Sequence, residues 1–184
     1  MTDIEKYVNE ARKVIAKIDI DDIAKAAKLC IDSITAGGTV FFCCNGGSAA
    51  DAQHFAGELV ARFRRERKAL PAIALNTNTS ILTAVANDTG FEKIFSRQLE
   101  AHAKPGDVLV AISTSGNSDN VIEAGRYAQE KGLKVIAMTG ADGGNLIELA
   151  DAVIKVKSGK TSHIQEYLLI AGHALCGEIE RILS

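Results

Sequence analysis

Five short apolar runs decide most of what this chain can become. "TVFFCC" (39–44), "PAIALN" (71–76), "DVLVAIS" (107–113), "KVIAMTG" (134–140) and "AVIKVK" (152–157) are nearly continuous in apolar residues rather than alternating. A strand of that kind is buried on both faces, which happens when helices cover both sides of a parallel sheet. Each of the first four runs leads through a polar or glycine-bearing turn into a stretch with helical spacing, as βα units do. The pattern predicts an α/β fold, a three-layer sandwich around a five-stranded parallel sheet. Two helices precede it. Residues 3–19 carry Ile4, Tyr7, Val8, Ala11, Val14, Ile15 and Ile18 at three- and four-residue spacing, and a second helix is expected from Asp21 or Asp22 to Ala36, stopped by Gly37-Gly38. A closing helix runs from about Ser162 to Leu183. With no internal repeat, low-complexity tract or linker, residues 1–184 predict one domain. The first helix is apolar along one stripe and lies outside the predicted sandwich. A second subunit would cover that stripe, so the leading helices (about 3–36) are expected to contribute to an oligomer interface; the alternative is that they fold back on their own domain.

Composition narrows the function classes. A hydrophobic content of 47% supports a full core, and the formal charge of −2 gives no electrostatic reason to expect nucleic acid. No apolar run approaches the roughly 20 residues of a membrane span, and the opening "MTDIEKYVNEARK" mixes charges with spaced apolar residues, unlike a signal peptide. The cysteines Cys30, Cys43, Cys44 and Cys176 have no CxxC or zinc spacing. Thiols in apolar surroundings fit a reducing, cytoplasmic location, with Cys43 and Cys44 read as small buried residues at a strand end.

Ligands of open parallel sheets collect beyond the carboxyl ends of the strands, and two turns there are rich in donors. "NGGSAAD" (45–51) follows the first strand with Asn45, Gly46, Gly47 and Ser48; "STSGNSDN" (113–120) follows the third with Ser113, Thr114, Ser115 and Ser118. Each combines hydroxyls, a glycine for close backbone approach and a helix start, whose free N–H groups and positive dipole end suit a phosphate. The same residue types cap any helix, but the density of hydroxyls in the second turn points to phosphate or sugar phosphate. No GxxxxGK[ST] occurs, and no GxGxxG follows the first strand, which argues against a nucleotide P-loop and a dinucleotide site.

Just beyond the first turn, His54 and Glu58 are four residues apart and share a helix face at about 6 Å, with Phe55, Leu59 and Val60 expected to point coreward. Three roles are open to the pair: an exposed side-chain contact, half of a metal site, or an acid–base pair. The closing helix adds Gln165 and, two turns on, His173 within "LLIAGHALC", where an imidazole among apolar residues must hydrogen-bond, ligate or titrate. A carboxylate and an imidazole flanking a phosphorylated sugar suit aldose–ketose isomerisation, which needs a base alpha to a carbonyl and an acid at the enediol oxygen. His54, Glu58, Gln165 and His173 equally form a four-ligand set for zinc, so metal and acid–base roles compete for the same residues.

"NGGSAADAQHFAGEL", "PAIALNTNTSILTAVANDTGF", "GDVLVAISTSGNS" and "IQEYLLIAGH" together resemble the phosphoheptose isomerase branch of the sugar isomerase (SIS) domain superfamily, a flavodoxin-like fold, along nearly the whole chain. That resemblance implies conversion of sedoheptulose 7-phosphate to D-glycero-D-manno-heptose 7-phosphate, an early step toward the nucleotide-activated heptoses of bacterial surface polysaccharides such as lipopolysaccharide. It implies a homotetramer with active sites at subunit interfaces and, in some members, zinc, one ion per subunit. By position, Glu58 resembles the general base and His173 the general acid. Ser48, Ser113, Thr114, Ser115 and Ser118 match phosphate-binding hydroxyls, while Arg62, Asn87, Asp88 and Gln165 fall at substrate-pocket positions. His54, Glu58, Gln165 and His173 match the zinc set. Two departures stand out: Ser162 and His163 replace an acidic residue and an arginine common in the family, at the far end of the sugar, and Cys44 replaces a glycine.

Other classes are weighed by the same residues. A sister branch that binds the bacterial replication initiator as an adaptor lacks the glutamate and histidine that this chain keeps. A sugar-phosphate-sensing SIS domain would bind without turnover and usually accompanies a DNA-binding domain. A nicotinamide-dependent enzyme is the weakest fit.

Overall fold

In the computed structural model, which describes residues 1–184, the five apolar runs form strands β1 (Val40–Cys43), β2 (Ala72–Ala74), β3 (Val108–Ser113), β4 (Lys134–Thr139) and β5 (Ala152–Lys155). All pairings are parallel, in the order β2-β1-β3-β4-β5. The helices are α1 (Asp3–Ile15), α2 (Ile20–Thr35), α3 (Ser48–Val60), α4 (Thr79–Asp88), α5 (Ser96–His102), α6 (Asp119–Glu130) and α7 (Thr161–Leu183), with 3₁₀ turns at Phe91–Lys93 and Gly144–Leu149.

Successive strand residues point to opposite faces, so adjacent phenylalanines serve different layers. Phe42 joins Val110, Ile136, Met138 and Ile154 against Phe55, Leu59, Tyr167 and Leu175 of α3 and α7. Phe41 joins Leu109, Ala111, Val135 and Ala137 against Leu99, Val121, Ala124 and Leu146. The α/β sandwich is therefore the expected one. Cutting Phe42 back to alanine would cost about 3–5 kcal/mol, the usual toll of an emptied aromatic site.

Four local expectations change. The first helical pattern stops at Ile15 rather than residue 19, because Asp19 leaves helical geometry and its carboxylate accepts the N–H groups of Asp21 and Asp22 to start α2. β2 is an edge strand with Ile73 exposed, not buried on both faces. The turn after β4 enters a 3₁₀ segment instead of an α-helix. Val60 is exposed at the end of α3, while Phe55 and Leu59 point coreward as expected.

α1 begins with a reciprocal capping box between Thr2 and Glu5 and lies along α7, with Val14 on the core. Its outer residues Ile4 and Val8 stay exposed, and no α1 residue is buried. His163 is buried beneath it: the ring centroid is 4.6 Å from that of Tyr7, and Nδ1 is 3.2 Å from Glu166. This residue thus docks α1 on α7. Within this chain the His163 ring serves the contact between the two helices.

Candidate active site

Strand order reverses between β1, whose chain continues toward β2 on one side, and β3, which lies on the other. Helices leave the sheet on opposite faces at such a switch, opening a crevice at the carboxyl ends. Both donor-rich turns flank it. Their backbones are stapled by reciprocal amide bonds: Asn45 Nδ2 donates to Asn120 Oδ1 at 2.7 Å, and Asn120 Nδ2 donates to Asn45 Oδ1 at 2.8 Å. Asn45, expected to contact substrate, spends its side chain on this staple; Asn120 escaped notice because an asparagine in the first turn of a helix reads as a capping residue. Asn76 Nδ2 supports the same turn by donating to the Cys44 carbonyl at 2.6 Å.

The second turn is tightly built. Gly116 has φ +67°, and a side chain there would collide with the Gly143 backbone. Ser113 is buried, with its Oγ 3.0 Å from that of Ser118 and 3.4 Å from that of Ser115. Ser115 Oγ accepts the Asn117 N–H at 3.1 Å. No side chain caps α6 or α3, so both starts keep N–H groups for an anion. Thr114 and Ser115 border a cavity of about 190 Å³ whose far wall is Asp142, Ser158 and Thr161. Asp142 and Ser158 come from the loops after β4 and β5 and Thr161 from the start of α7, and no motif in the sequence marks them.

α3 and α7 cross closely because Gly172 leaves room for the Phe55 ring. Across that crossing His54 Nε2 lies 2.8 Å from His173 Nε2 and 3.5 Å from Glu58 Oε1. Glu58 is 19% exposed and His54 45%, so the carboxylate sits at the base of the group and His54 at its mouth. Asp51, one turn before His54, also belongs here. Burial pushes its carboxyl up, partly offset by the charges of His54 and His173.

The other expected residues divide. Gln165 Nε2 donates to Ser48 Oγ at 3.1 Å, linking α7 to the first turn. Arg62 is exposed and paired with Glu66. Asn87 donates to Asp88 at 2.7 Å at the exposed end of α4. None of these last three makes a hydrogen bond to the His54, Glu58 and His173 group within this chain. The four cysteines are buried and unpaired. Burial raises the Cys44 thiol to about 11 and that of Cys176 to about 12, which removes them as nucleophiles.

Beneath the site lies a buried pair that the sequence pattern hid. Arg67 and Glu180 side chains are each 2% exposed, with Nε 3.3 Å from Oε1. Glu180 also accepts the N–H groups of Phe63, Arg64 and Arg65. Burial alone would raise its carboxyl, but those N–H groups and Arg67 hold it below the usual carboxylate range. In sequence, "GEIERIL" presents Glu180 as one more helix-surface acid.

A metal fits the donor set. One ligand atom each from His54, Glu58 and His173 lies within 4.8 Å of the others. Two imidazole nitrogens sharing a zinc stand about 3.3 Å apart, about half an ångström more than the 2.8 Å seen. Two imidazoles and a carboxylate, open on one side, are what catalytic zinc sites use.

Fold and site together define an open α/β domain whose crevice joins a hydroxyl-lined anion turn to a His/Glu cluster, the layout of a sugar-phosphate enzyme. Residues 6–140 match the SIS domain family. A phosphoheptose isomerase from Rhodospirillum rubrum is 57% identical over 161 residues, covering 88% of this chain and 86% of that protein. The solved phosphoheptose isomerase of Neisseria gonorrhoeae superposes with a TM-score of 0.90 at 42% identity, over 97% of each chain. That of Francisella tularensis gives 0.91 at 37% identity, over 98% of this chain and all of that one, 100%. The chain belongs to the SIS domain family and, within it, to the phosphoheptose isomerases.

Proposed function

We propose that this chain isomerises sedoheptulose 7-phosphate to D-glycero-D-manno-heptose 7-phosphate, supplying heptose for bacterial surface polysaccharides. The observation that carries the reading is the convergence of Glu58 and His173 at a crevice that also holds an uncapped helix start lined by serines. The phosphate docks on Ser113, Thr114, Ser115 and Ser118 with Ser48 opposite, leaving the carbonyl end near α3 and α7. Glu58 takes a proton from C1 of the ketose while His173 protonates the C2 oxygen, giving an enediol. Glu58 then returns a proton to C2 and His173 accepts the O1 proton, so the proton count closes.

His54, Glu58 and His173, with Gln165 as fourth candidate, would hold a zinc ion. When bound, the metal supplies Lewis-acid polarisation of the sugar oxygens.

The chain acts as a single domain whose leading helices, about 3–36, join a homotetramer. Support comes from α1 and α4, neither of which buries a residue within the chain, and from the exposed Ile4 and Val8. Arg62, Asn87 and Asp88 then complete the site across a subunit interface. No helix is long and apolar enough to cross a membrane, and the unpaired buried thiols fit a cytoplasmic enzyme.

The test is an NMR assay of sedoheptulose 7-phosphate with wild type and Glu58→Gln in parallel. The wild type is expected to form the aldose phosphate, with the variant's kcat lower by about 10²–10⁴-fold and KM nearly unchanged. Equal rates would remove Glu58 as base, and no conversion by either would remove the isomerase reading.

A further inference from the structure

His173 is bracketed by two aromatic rings, each seated on a glycine of its own helix. Phe63 stacks on the imidazole, with centroids 5.6 Å apart and planes at 19°. Phe55 meets it edge-on at 6.2 Å and 80°. A side chain at Gly172 would strike the Phe55 ring, and a Cβ at Gly177 would come within 3.1 Å of the Phe63 ring. Phe63 is not on a helix. It lies in the segment leaving α3, where the Glu180 carboxylate accepts its N–H at 2.9 Å and that of Arg64 at 2.8 Å. Arg67 closes the arrangement by pairing with Glu180 and donating from Nη2 to the Glu58 carbonyl at 2.8 Å. A single buried ion pair therefore holds both the backbone of the Glu58 turn and the ring stacked on His173.

We propose that Phe63, seated on Gly177 and locked by the Arg67–Glu180 pair, is a positioning residue that sets the imidazole plane of His173. The histidine χ2 torsion is broad, so a ring open on one side samples many planes. A flat wall on one face and an edge against the ring select the plane in which Nε2 faces His54 and Glu58. A misplacement of about 1 Å at a reacting group can cost about 10²-fold. The kinetic consequence rests on the isomerase reading, whereas the geometry does not.

The test uses Phe63→Leu, which keeps apolar volume but removes the aromatic face, with Phe63→Tyr as rescue and Gly177→Ala to push the ring away. The full chain is labelled with ¹³C-histidine; its four histidines are assigned by single replacement. The His173 ring protons are expected to be shifted upfield by Phe63, to lose that shift in Phe63→Leu, to have it altered in Gly177→Ala, where the ring must give by a few tenths of an ångström, and to keep it in Phe63→Tyr. With sedoheptulose 7-phosphate, kcat falls about 10- to 100-fold in Phe63→Leu while KM stays within about twofold, and Phe63→Tyr recovers most of it. Unchanged ring-proton shifts in a folded Phe63→Leu, or an unchanged kcat, would overturn the proposal. Should Phe63→Leu not fold, Gly177→Ala and Phe63→Tyr decide by the same signals. Absence of turnover in the wild type would overturn the isomerase reading alone; NOEs between the His173 and His54 ring protons, changed in Phe63→Leu if the plane is released and unchanged if it is not, would then decide the positioning role.

Discussion

His54 Nε2 and His173 Nε2 stand 2.8 Å apart although 119 residues separate them in the chain. At that distance one ring nitrogen can donate to the other, and an imidazole nitrogen with a free lone pair is also what binds a metal. The crossing of α3 and α7 thus presents two nitrogens and the Glu58 carboxylate to one point.

Metal content tests that point directly. Protein purified without added zinc is expected to carry about one ion per chain, bound by His54, Glu58 and His173. His54→Ala and His173→Ala should each lose it, measured by elemental analysis. Retention of the ion in both variants would place the metal elsewhere.

Ser115 offers a discriminating change in the anion turn. Ser115→Ala removes one hydroxyl from an exposed position of the turn. If it bonds a phosphate, the loss is that of a charge-assisted hydrogen bond, about 1.5–3 kcal/mol, or about 10- to 150-fold in Kd. Titration with sedoheptulose 7-phosphate and with the unphosphorylated sugar should show the loss only for the first.

The Asn45–Asn120 staple predicts non-additive stability. Asn120 is buried, so Asn120→Ala leaves the Asn45 amide without its partner and should cost about 1–3 kcal/mol. The double variant should cost less than the sum of the two singles. Denaturant unfolding of the four proteins measures this, and strict additivity would mean that the staple carries no coupling.

Glu180 ties stability to acid. Its folded carboxyl titrates below the ordinary value of 4.5, so its contribution is fully present above that value and fades as pH falls through the lower folded one. Wild type should therefore lose melting temperature on acidification below about pH 4.5 more steeply than Glu180→Gln, which is less stable at neutral pH but lacks this titration. Parallel slopes would separate Glu180 from the acid response.

Much of this protein was legible from residue order alone. Unbroken apolar runs such as "DVLVAIS", short, rich in β-branched residues and bounded by turns, read as strands buried on both faces. The glycine-containing turns after them, and the four-residue phase of His54 and Glu58, are local properties of a backbone with few states. What only the tertiary structure decided lies between segments distant in the chain. Gln165 on Ser48, Asn45 on Asn120 and His173 beside His54 depend on how α7 crosses α3 and where the sheet order reverses. Glu180 shows the reason most clearly. Its position in a helix reads as solvent surface, and it becomes a buried anion only because a loop more than 100 residues earlier turns three N–H groups toward it. Local pattern sets which face a side chain takes on its own element; what waits on the other side is set by packing.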